Sequence, residues 1–164
     1  TNSKREIKTL DDMKNLKIRV AGSNLLMECY KRWGADATNM NWSETYTALQ
    51  QKTVDGQENP LRAIDAASVQ EVQPYCSLWN DHYDCLFFCI NQGIYDSLTQ
   101  EQQKVVDEAG RKAVAYEREI NRAGDEEILE RWQSKNGVEV VKYEDLDVES
   151  FKNAAEPVTE WVIN

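Results

Sequence analysis

The sequence predicts an α/β fold, because short alternating strands and capped amphipathic helices follow one another along the chain. The first strand, Leu16 to Val20, alternates apolar residues with two basic residues. A helix then begins after Ser23, a favourable N-cap residue, and ends at Gly34. Further along, the apolar spacing changes to that of a long helix beginning at Thr99. These three observations define an α/β alternation.

Length and charge narrow the class of protein. A chain of 164 residues can bury one sizeable core and lies at the low end for two complete lobes. Its net charge of -10, from 19 basic and 29 acidic residues, would repel nucleic acid and anionic membranes. The longest apolar stretch, Cys85 to Ile90, is too short for a membrane span of roughly 20 residues. No signal peptide stands at the start, and composition leaves the compartment open.

The other elements of the first half follow from local signals. Thr9 to Asn15 reads as a short capped turn before the first strand. A second helix is predicted from Ser43 to about Lys52. After a tight turn at Asp55-Gly56, Pro60 fits the first position of a third helix that extends to about Gln70.

Three further strands are predicted in the rest of the chain. Tyr75 to Trp79 and Tyr83 to Asn91 are aromatic and apolar, and the second is dense enough to lie buried on both faces. Val138 to Tyr143 forms a short strand. Asp147 then caps a last amphipathic segment containing Phe151 and Trp161, with a kink or break at Pro157.

Between these strands the sequence predicts one long helix. Thr99 and Gln102 form a capping box. The stripe at helical spacing consists of Val105, Val106, Ala109, Ala113, Tyr116, Ile120 and Ala123. Continued to Lys135, this helix would measure about 53 Å at 1.5 Å per residue. Gly110 and Gly124 weaken it and mark a bend or a close approach of another backbone.

Arg19 is the first candidate site residue. It lies near the end of a strand and faces away from that strand's apolar side. Ligands of open α/β sheets collect beyond the carboxyl ends of strands, where Gly22 and Ser23 add backbone donors. A guanidinium matches a carboxylate with two parallel hydrogen bonds. On spacing alone, an ordinary surface or salt-bridged arginine is the simpler interpretation.

A second candidate is the polar segment from Val54 to Pro60. Asp55 and Glu58 have the residue types of a general acid and base, but no nucleophile, metal pattern or second histidine accompanies them. Turn formation and helix capping explain them better. Trp42 would either stack on a ligand or fill the apolar core, and a role as a core residue is the simpler interpretation.

The cysteines do not predict a metal site. Cys29, Cys76, Cys85 and Cys89 show no paired zinc spacing, although His82 lies among them. In a strand, the last two cysteines would be about 13 Å apart, too far to share an ion. The sequence favours small buried thiols and no metal.

In family order, several segments resemble the solute-binding proteins of tripartite ATP-independent periplasmic (TRAP) transporters, which include dicarboxylate and sialic acid binders. The resemblance covers nearly the whole chain, through Ile7-Lys8-Thr9-Leu10-Asp11-Asp12, Leu16-Lys17-Ile18-Arg19-Val20, Trp42-Ser43-Glu44-Thr45-Tyr46-Thr47-Ala48-Leu49-Gln50, Val54-Asp55-Gly56-Gln57-Glu58-Asn59-Pro60, Glu71-Val72-Gln73, the region Asn80 to Asn91 and the helix after Leu98-Thr99.

The resemblance assigns roles to three residues. It implies that Arg19 forms the salt bridge to a ligand carboxylate, that Asn59 hydrogen-bonds the ligand and that Trp42 is a wall position. Ala21 departs from the family, which usually has proline there, and this slightly loosens the loop that carries Gly22. Asp84 and Cys85 also differ from common family residues.

The resemblance further implies a periplasmic-binding-protein-like (type II) architecture, with two α/β lobes closing around a cleft and a long helix bridging both. Residues 1–84 would be a second-lobe segment, residues 85–124 a strand and helix of the first lobe, and residues 125–164 the end of the long helix and a last second-lobe segment. The implied protein is an extracytoplasmic receptor without enzyme activity or cofactor. It would deliver a small organic acid to the membrane subunits of a TRAP transporter.

The implied chains are about twice as long as this one, so the strand at residues 85–91 is expected to lack its covering neighbours. We therefore expect a dimer, a swapped assembly or a retained first-lobe fragment, and weak ligand binding by the 164-residue chain alone. Compact refolding of this chain is the alternative. Two other functions remain open from the residues: an enzyme of small acids using Asp55, Glu58 or His82, and a structural or interaction domain.

Overall fold

The fold is mixed α/β, as predicted. The computed structural model describes the backbone of residues 1–82 and 86–163, and their side chains except those of residues 122, 123 and 159–163. The described strands are β1 (Lys17–Val20), β2 (Asp36–Asn39), β3 (Gly56–Gln57), β4 (Tyr75–Ser77) and β5 (Glu139–Val141). The helices are α1 (Leu10–Met13), α2 (Asn24–Arg32), α3 (Trp42–Gln50), α4 (Leu61–Ala66), α5 (Gln92–Asp96), α6 (Gln100–Ala123), α7 (Asp125–Arg131) and α8 (Val148–Ile163).

The described strand pairs are parallel, and Asn2 bridges the two groups of strands. β1 lies between β2 and β3, and β4 pairs with β5. Asn2 forms isolated bridges with Gly56 of β3 and Tyr75 of β4. Its side chain is buried and accepts hydrogen bonds from the backbone nitrogens of Lys4 and Arg5. The chain before β1 therefore fills the gap between the two groups of strands.

The described residues divide into two compact units, Thr1–Asn80 with Glu127–Asn164, and Asp81–Glu126. The first unit has two apolar clusters. One packs α2 and α8 against β1 and consists of Ile7, Met13, Leu16, Ile18, Val20, Tyr30, Trp33, Ala35 and Phe151. The other packs α3, α4 and α7 around β4 and consists of Ala48, Leu49, Val54, Ile64, Val69, Cys76, Ile128, Trp132 and Val138. Trp33 Nε1 also donates to the Phe151 carbonyl at 2.9 Å, which ties α2 to α8.

Several local predictions are confirmed. Thr9 and Asp12 form a capping box at α1. Ser23 Oγ accepts from the Leu26 nitrogen at 3.3 Å and caps α2. Thr99 and Gln102 form the predicted capping box at α6. These signals are reliable because each depends on residues only three positions apart.

Three elements of the first half differ from prediction. Gly56 was expected in a tight turn but belongs to β3, whose residues pair with Ile18 and Arg19. Pro60 is the N-cap of α4 and not its first residue, and α4 ends at Ala66, before a separate 3₁₀ turn at Val69–Glu71. The strand β2 was not predicted.

The strand predicted from Tyr83 to Asn91 is wrong over its described part. Tyr83, Asp84 and Cys85 lie outside the described residues, and residues 86–91 have no strand structure. Leu86, which was expected to be buried, is 90% exposed. Within the described chain, no backbone hydrogen bond to residues 86–90 forms, so this segment has no strand to pair with.

The long helix predicted from Thr99 to Lys135 is interrupted. α6 ends before Gly124, α7 follows, and residues Trp132–Asn136 form a π-helical turn. Part of the expected buried stripe is exposed, since Val105 is 67% and Tyr116 64% exposed. Pro157 breaks nothing: α8 continues through it, with the proline on the exposed side. No helix in the described ranges has both the length and the apolarity to cross a bilayer.

Candidate ligand-binding site

The predicted site residues converge at one edge of the sheet. Because β1, β2 and β3 are parallel, their carboxyl ends meet at the same edge. The residues that follow these three strands are Ala21, Gly22 and Ser23 after β1, Met40, Asn41 and Trp42 after β2, and Glu58 and Asn59 after β3. Segments nearly 40 residues apart in sequence thus contribute to one site.

Arg19 is the buried cation of this edge. Its side chain lies on one face of β1, whereas the neighbouring Ile18 and Val20 lie on the other face and belong to the apolar cluster. Only 4% of Arg19 is exposed. Its Nε donates to the Met40 carbonyl at 3.0 Å, and its guanidinium carbon lies 5.3 Å from the centre of the Trp42 ring. These contacts fix the plane of the guanidinium and leave its terminal nitrogens without a recorded partner in the described chain.

Two opposing influences act on the charge of Arg19. Burial, the larger influence, lowers the pKa of the guanidinium, and the nearby Glu58 carboxylate raises it. Arginine is charged far above neutral pH, so the side chain remains a cation in this site. An anion that reaches its terminal nitrogens would complete the pairing of a partly desolvated charge.

The loop after β1 contributes fewer donors than its sequence suggests. The Ser23 nitrogen already donates to the Ala21 carbonyl at 2.6 Å, and Ser23 Oγ caps α2. The Ala21 nitrogen lies 3.4 Å from Glu58 Oε1, a weak hydrogen bond across the strand ends. Gly22 is exposed, and its nitrogen has no recorded partner within the described residues.

Asn59 is held by a relay of amides. Its Nδ2 donates to Gln57 Oε1 at 3.1 Å, and Gln57 Nε2 donates to Thr1 Oγ1 at 2.9 Å. Gln57 is only 2% exposed, whereas Asn59 is half-buried. These two hydrogen bonds therefore orient the Asn59 amide, while part of the Asn59 side chain stays accessible to solvent.

The acidic residues of the second candidate segment have structural roles. Asp55 Oδ2 accepts from the Lys17 nitrogen at 2.9 Å, and Asp55 Oδ1 pairs with Lys4 Nζ at 3.2 Å. His82 pairs with Asp81 at 3.2 Å and belongs to the other compact unit. Neither arrangement places a base beside a nucleophile, which acid–base or nucleophilic catalysis requires.

The cysteines occupy different environments. Cys76 is buried, and burial raises the pKa of its thiol, as expected for an inert core residue. Cys29 is half-buried and Cys89 is exposed, so the prediction of buried thiols is wrong for Cys89. Cys85 lies outside the described residues. Across the described ranges, no group of three or more histidine, cysteine or acidic side chains is arranged to hold a metal ion.

Sequence reasoning missed two residues that shape the site. Met40 supplies the carbonyl that orients Arg19, and Gln57 holds Asn59. Met40 was overlooked because it follows β2, whose sequence Asp-Ala-Thr-Asn has weak strand propensity. Gln57 lies inside a motif that was recognised, but its inward direction follows only from the pairing of β3 with β1.

Comparisons with known proteins agree on one family. The family model described as bacterial extracellular solute-binding protein, family 7, matches residues 1–163. The 2,3-diketo-L-gulonate-binding periplasmic protein YiaO of Escherichia coli (strain K12) is 34% identical over 154 residues, which cover 94% of this chain and 46% of YiaO.

Two solved structures are similar over almost the whole chain. The sugar acid binding protein DctPAm of Advenella mimigardefordensis, in complex with galactonate, matches with a TM-score of 0.90 and 35% identity, over 99% of this chain and 52% of that chain. A TRAP periplasmic solute binding protein from Sulfitobacter sp. NAS-14.1, with bound beta-D-galacturonate, matches with a TM-score of 0.87 and 31% identity, over 98% and 52%. The chain thus spans about half the length of the relatives it matches.

Proposed function

The chain belongs to the bacterial extracellular solute-binding proteins of family 7, and from this premise we propose that it forms the carboxylate-binding part of a receptor for a small organic acid. The receptor binds its ligand without chemical change and passes it to the membrane subunits of a TRAP transporter. The description of the family as extracellular and the periplasmic names of the relatives confirm the predicted extracytoplasmic localisation.

One observation carries this proposal: Arg19 is buried and oriented, yet its terminal nitrogens remain for an anion. Met40 and Trp42 hold the guanidinium from two sides. A planar carboxylate matches two parallel N–H groups, one on each terminal nitrogen, and a cation held in place beforehand loses little entropy when it binds. The ligands named for the relatives, 2,3-diketo-L-gulonate, galactonate and galacturonate, are all carboxylates.

The other predicted residues have supporting roles in this proposal. Asn59, oriented by Gln57, hydrogen-bonds a second polar group of the ligand. Trp42 provides an aromatic wall beside the carboxylate. Gly22 offers its backbone nitrogen, whereas Ser23 contributes through the helix cap that fixes the loop. The predicted assignment of residues 1–84 and 125–164 to one lobe, and of residues 85–124 to the other, remains part of the proposal.

The test is calorimetry on a receptor of the relatives' full length that contains this chain, with galactonate, galacturonate and 2,3-diketo-L-gulonate as probes. A probe that binds should add about 2.7 kcal/mol to stability at 100 times its dissociation constant. Arg19→Ala should reduce affinity for that probe by about 2–5 kcal/mol. Arg19→Lys should restore little of this, because an ammonium cannot make the same two parallel hydrogen bonds.

The matched control is Arg32→Ala, which removes an exposed arginine paired with Glu28 and should leave affinity unchanged. Arg19→Ala binding as tightly as the wild type would contradict the assignment. Turnover of a probe would favour an enzyme. If no acid of a wider panel gave a binding signal in calorimetry and a protein partner was captured, an interaction domain would be favoured.

A further inference from the structure

The buried amide of Gln57 is held with its oxygen towards Asn59. Only 2% of Gln57 is exposed, so its side chain depends on partners within the protein. Its Nε2 donates to Thr1 Oγ1 at 2.9 Å, and its Oε1 accepts from Asn59 Nδ2 at 3.1 Å. The Gln57 backbone nitrogen also donates to the Thr1 carbonyl at 2.9 Å. Main-chain and side-chain hydrogen bonds therefore fix this amide against the same neighbour, Thr1.

The Gln57 amide determines which groups Asn59 can offer to a ligand. One hydrogen of Asn59 Nδ2 is used in the bond to Gln57, which leaves the second hydrogen and the oxygen Oδ1. No hydrogen bond to Asn59 Oδ1 forms within residues 1–82 and 86–163. Asn59 is half-buried, so this part of its side chain is accessible. Asn59 therefore presents one donor and one acceptor, and not two donors.

Asn59 and Arg19 lie on the same face of the sheet. Gln57 of β3 is the register partner of Arg19 in β1, so their side chains leave the same face from backbones about 4.8 Å apart. Asn59 follows two residues later, and its hydrogen bond to the Gln57 side chain keeps it on this face. When a carboxylate pairs with Arg19, the carbon next to that carboxylate therefore approaches the Asn59 amide.

On the basis of the proposed carboxylate-binding function, we propose that Gln57 is a positioning residue that makes the site selective for acids with a hydroxyl on the carbon next to the carboxylate. In such an acid a carboxylate oxygen accepts from the second hydrogen of Asn59 Nδ2, and the neighbouring hydroxyl donates to Asn59 Oδ1. A donor then meets an acceptor in both hydrogen bonds. Gln57 acts through Asn59 and does not touch the ligand.

Acids that carry only an acceptor next to the carboxylate are bound less tightly by this amide. A carbonyl at that carbon, as in 2,3-diketo-L-gulonate, places its oxygen against Asn59 Oδ1, and so does the ring oxygen of β-D-galacturonate. Galactonate carries a hydroxyl there. A partly buried acceptor left without a donor weakens binding by about 5- to 30-fold. Turning the Asn59 amide over would offer two donors, but Asn59 Oδ1 would then oppose Gln57 Oε1.

Calorimetry on a receptor of the relatives' full length tests this selectivity with galactonate and 2-deoxy-2-fluorogalactonate. Fluorine has a similar size to the hydroxyl but cannot donate, so galactonate should bind about 5- to 30-fold more tightly. Arg19→Ala should weaken binding of both acids, because both keep the carboxylate. Equal affinities that both depend on Arg19 would overturn the selectivity but not the proposed function. Arg19-dependent binding of galacturonate without binding of galactonate would do the same. If no acid bound, both proposals would be wrong.

Substitutions of Gln57 distinguish positioning from a general structural role. Gln57→Met removes the acceptor for Asn59 Nδ2, lets the Asn59 amide turn, and should lower the ratio of the two affinities at least threefold. Gln57→Glu keeps that acceptor; its charge should weaken binding of both acids but preserve their ratio. Gln73→Met is the matched control, because Gln73 is a fully buried glutamine whose Nε2 donates to the Val72 carbonyl. It should leave the ratio unchanged.

Asn59→Ala provides a second route to the same result at a half-buried position. It removes the acceptor itself and should also abolish the preference for galactonate. Circular dichroism and urea unfolding show which variants are folded. A wild-type ratio in folded Gln57→Met or in folded Asn59→Ala would overturn the positioning role. An equally lowered ratio in Gln73→Met would also overturn it, because the effect would then follow from lost packing and not from the Gln57 amide.

Discussion

At the scale of single residues, Arg19 combines deep burial with incomplete pairing. Removing a guanidinium from water is costly unless its hydrogen bonds and charge are compensated. The Met40 carbonyl and the Trp42 ring compensate part of this cost, and Glu58 supplies an opposite charge. The remaining compensation is what an anionic ligand would provide. In the proposed function, Arg19 is thus oriented before a ligand binds.

Trp42 gives a prediction at this scale. A cation over an aromatic face is stabilised by roughly 0.5–2 kcal/mol, depending on desolvation. Trp42→Ala should therefore weaken binding of an acid by about 2- to 30-fold, measured by calorimetry on the receptor of full length. Trp42→Phe keeps an aromatic face and should lose much less. Equal affinities for the wild type and Trp42→Ala would show that the ring does not hold Arg19 for binding.

Gly56 gives a second prediction. A Cβ at this position would lie 2.8 Å from the Asn2 Cβ and 2.9 Å from Ile18 Cδ1, closer than packed carbon atoms approach. Gly56→Ala should therefore destabilise the protein by about 1–3 kcal/mol, measured by urea unfolding. Gly22→Ala is the control, since its Cβ would meet Asn39 at an ordinary 3.6 Å. Equal stability of the two variants would mean that Asn2 does not pack against β3 in solution.

The direction of Arg19 could be predicted from sequence, but its partners could not. Strand alternation is local, so an arginine between Ile18 and Val20 must face the other side. The Met40 carbonyl meets Arg19 only because β2 pairs with β1 in a particular register. Register depends on contacts between distant segments, and a single sequence does not reveal it.

At the scale of elements, features set by neighbouring residues could again be predicted, whereas features set by contacts between distant segments could not. The caps at Ser23 and Thr99 were predicted, because a helix start is encoded within four residues. β2 was missed, and the segment after Cys85 was assigned as a strand that the described residues do not form. Apolar composition predicts that a segment can form a strand, but a strand also needs a partner.

The junction of α4 and α7 illustrates how elements are joined electrostatically. Asp65 of α4 accepts from Trp132 Nε1 at 2.9 Å and pairs with Arg131 at 2.6 Å. Burial, the largest single influence, raises the pKa of Asp65, but the hydrogen bonds from Trp132 and Arg131 and the positive charges of Arg131 and Arg62 together outweigh it. The pKa of Asp65 is therefore lower than its ordinary value of 3.8.

This lowered pKa predicts a pH dependence. A carboxyl group with a lower pKa in the folded state stabilises the fold above its unfolded pKa, and this contribution is lost as the pH falls through the folded value. Asp65→Asn should be less stable than the wild type at pH 7, and the difference should shrink as the pH falls below about 3.8. Urea unfolding of both proteins across this range measures it. A difference independent of pH would show that the charge of Asp65 does not stabilise this junction.

At the scale of the whole molecule, burial differs sharply between the two units. The unit with both apolar clusters contains all five described strands. The unit Asp81–Glu126 consists of helices and an exposed apolar segment. The α/β class could be predicted because it depends only on the order of helices and strands along the chain. The exposure of Leu86–Ile90 depends on which other surfaces pack against this segment, and its own sequence does not specify them.

Hydrogen exchange provides the last prediction, because an amide in a cooperative core exchanges only through large openings, whereas one without such support exchanges through local openings. In dilute 164-residue chain, the amides of Ile18 and Val20 in β1 should be the most protected, since β1 lies between two strands under an apolar cluster. Amides of α6 should be protected less, because its hydrogen bonds are not reinforced by buried side chains.

Amides of Leu86–Ile90 should exchange at nearly the rate of an unfolded chain, as their backbone groups have no recorded partner in the described residues. If the amides of both units were strongly and equally protected in dilute solution, the side chains of Asp81–Glu126 would have to be buried within a single chain. That outcome would contradict their exposure in this structure.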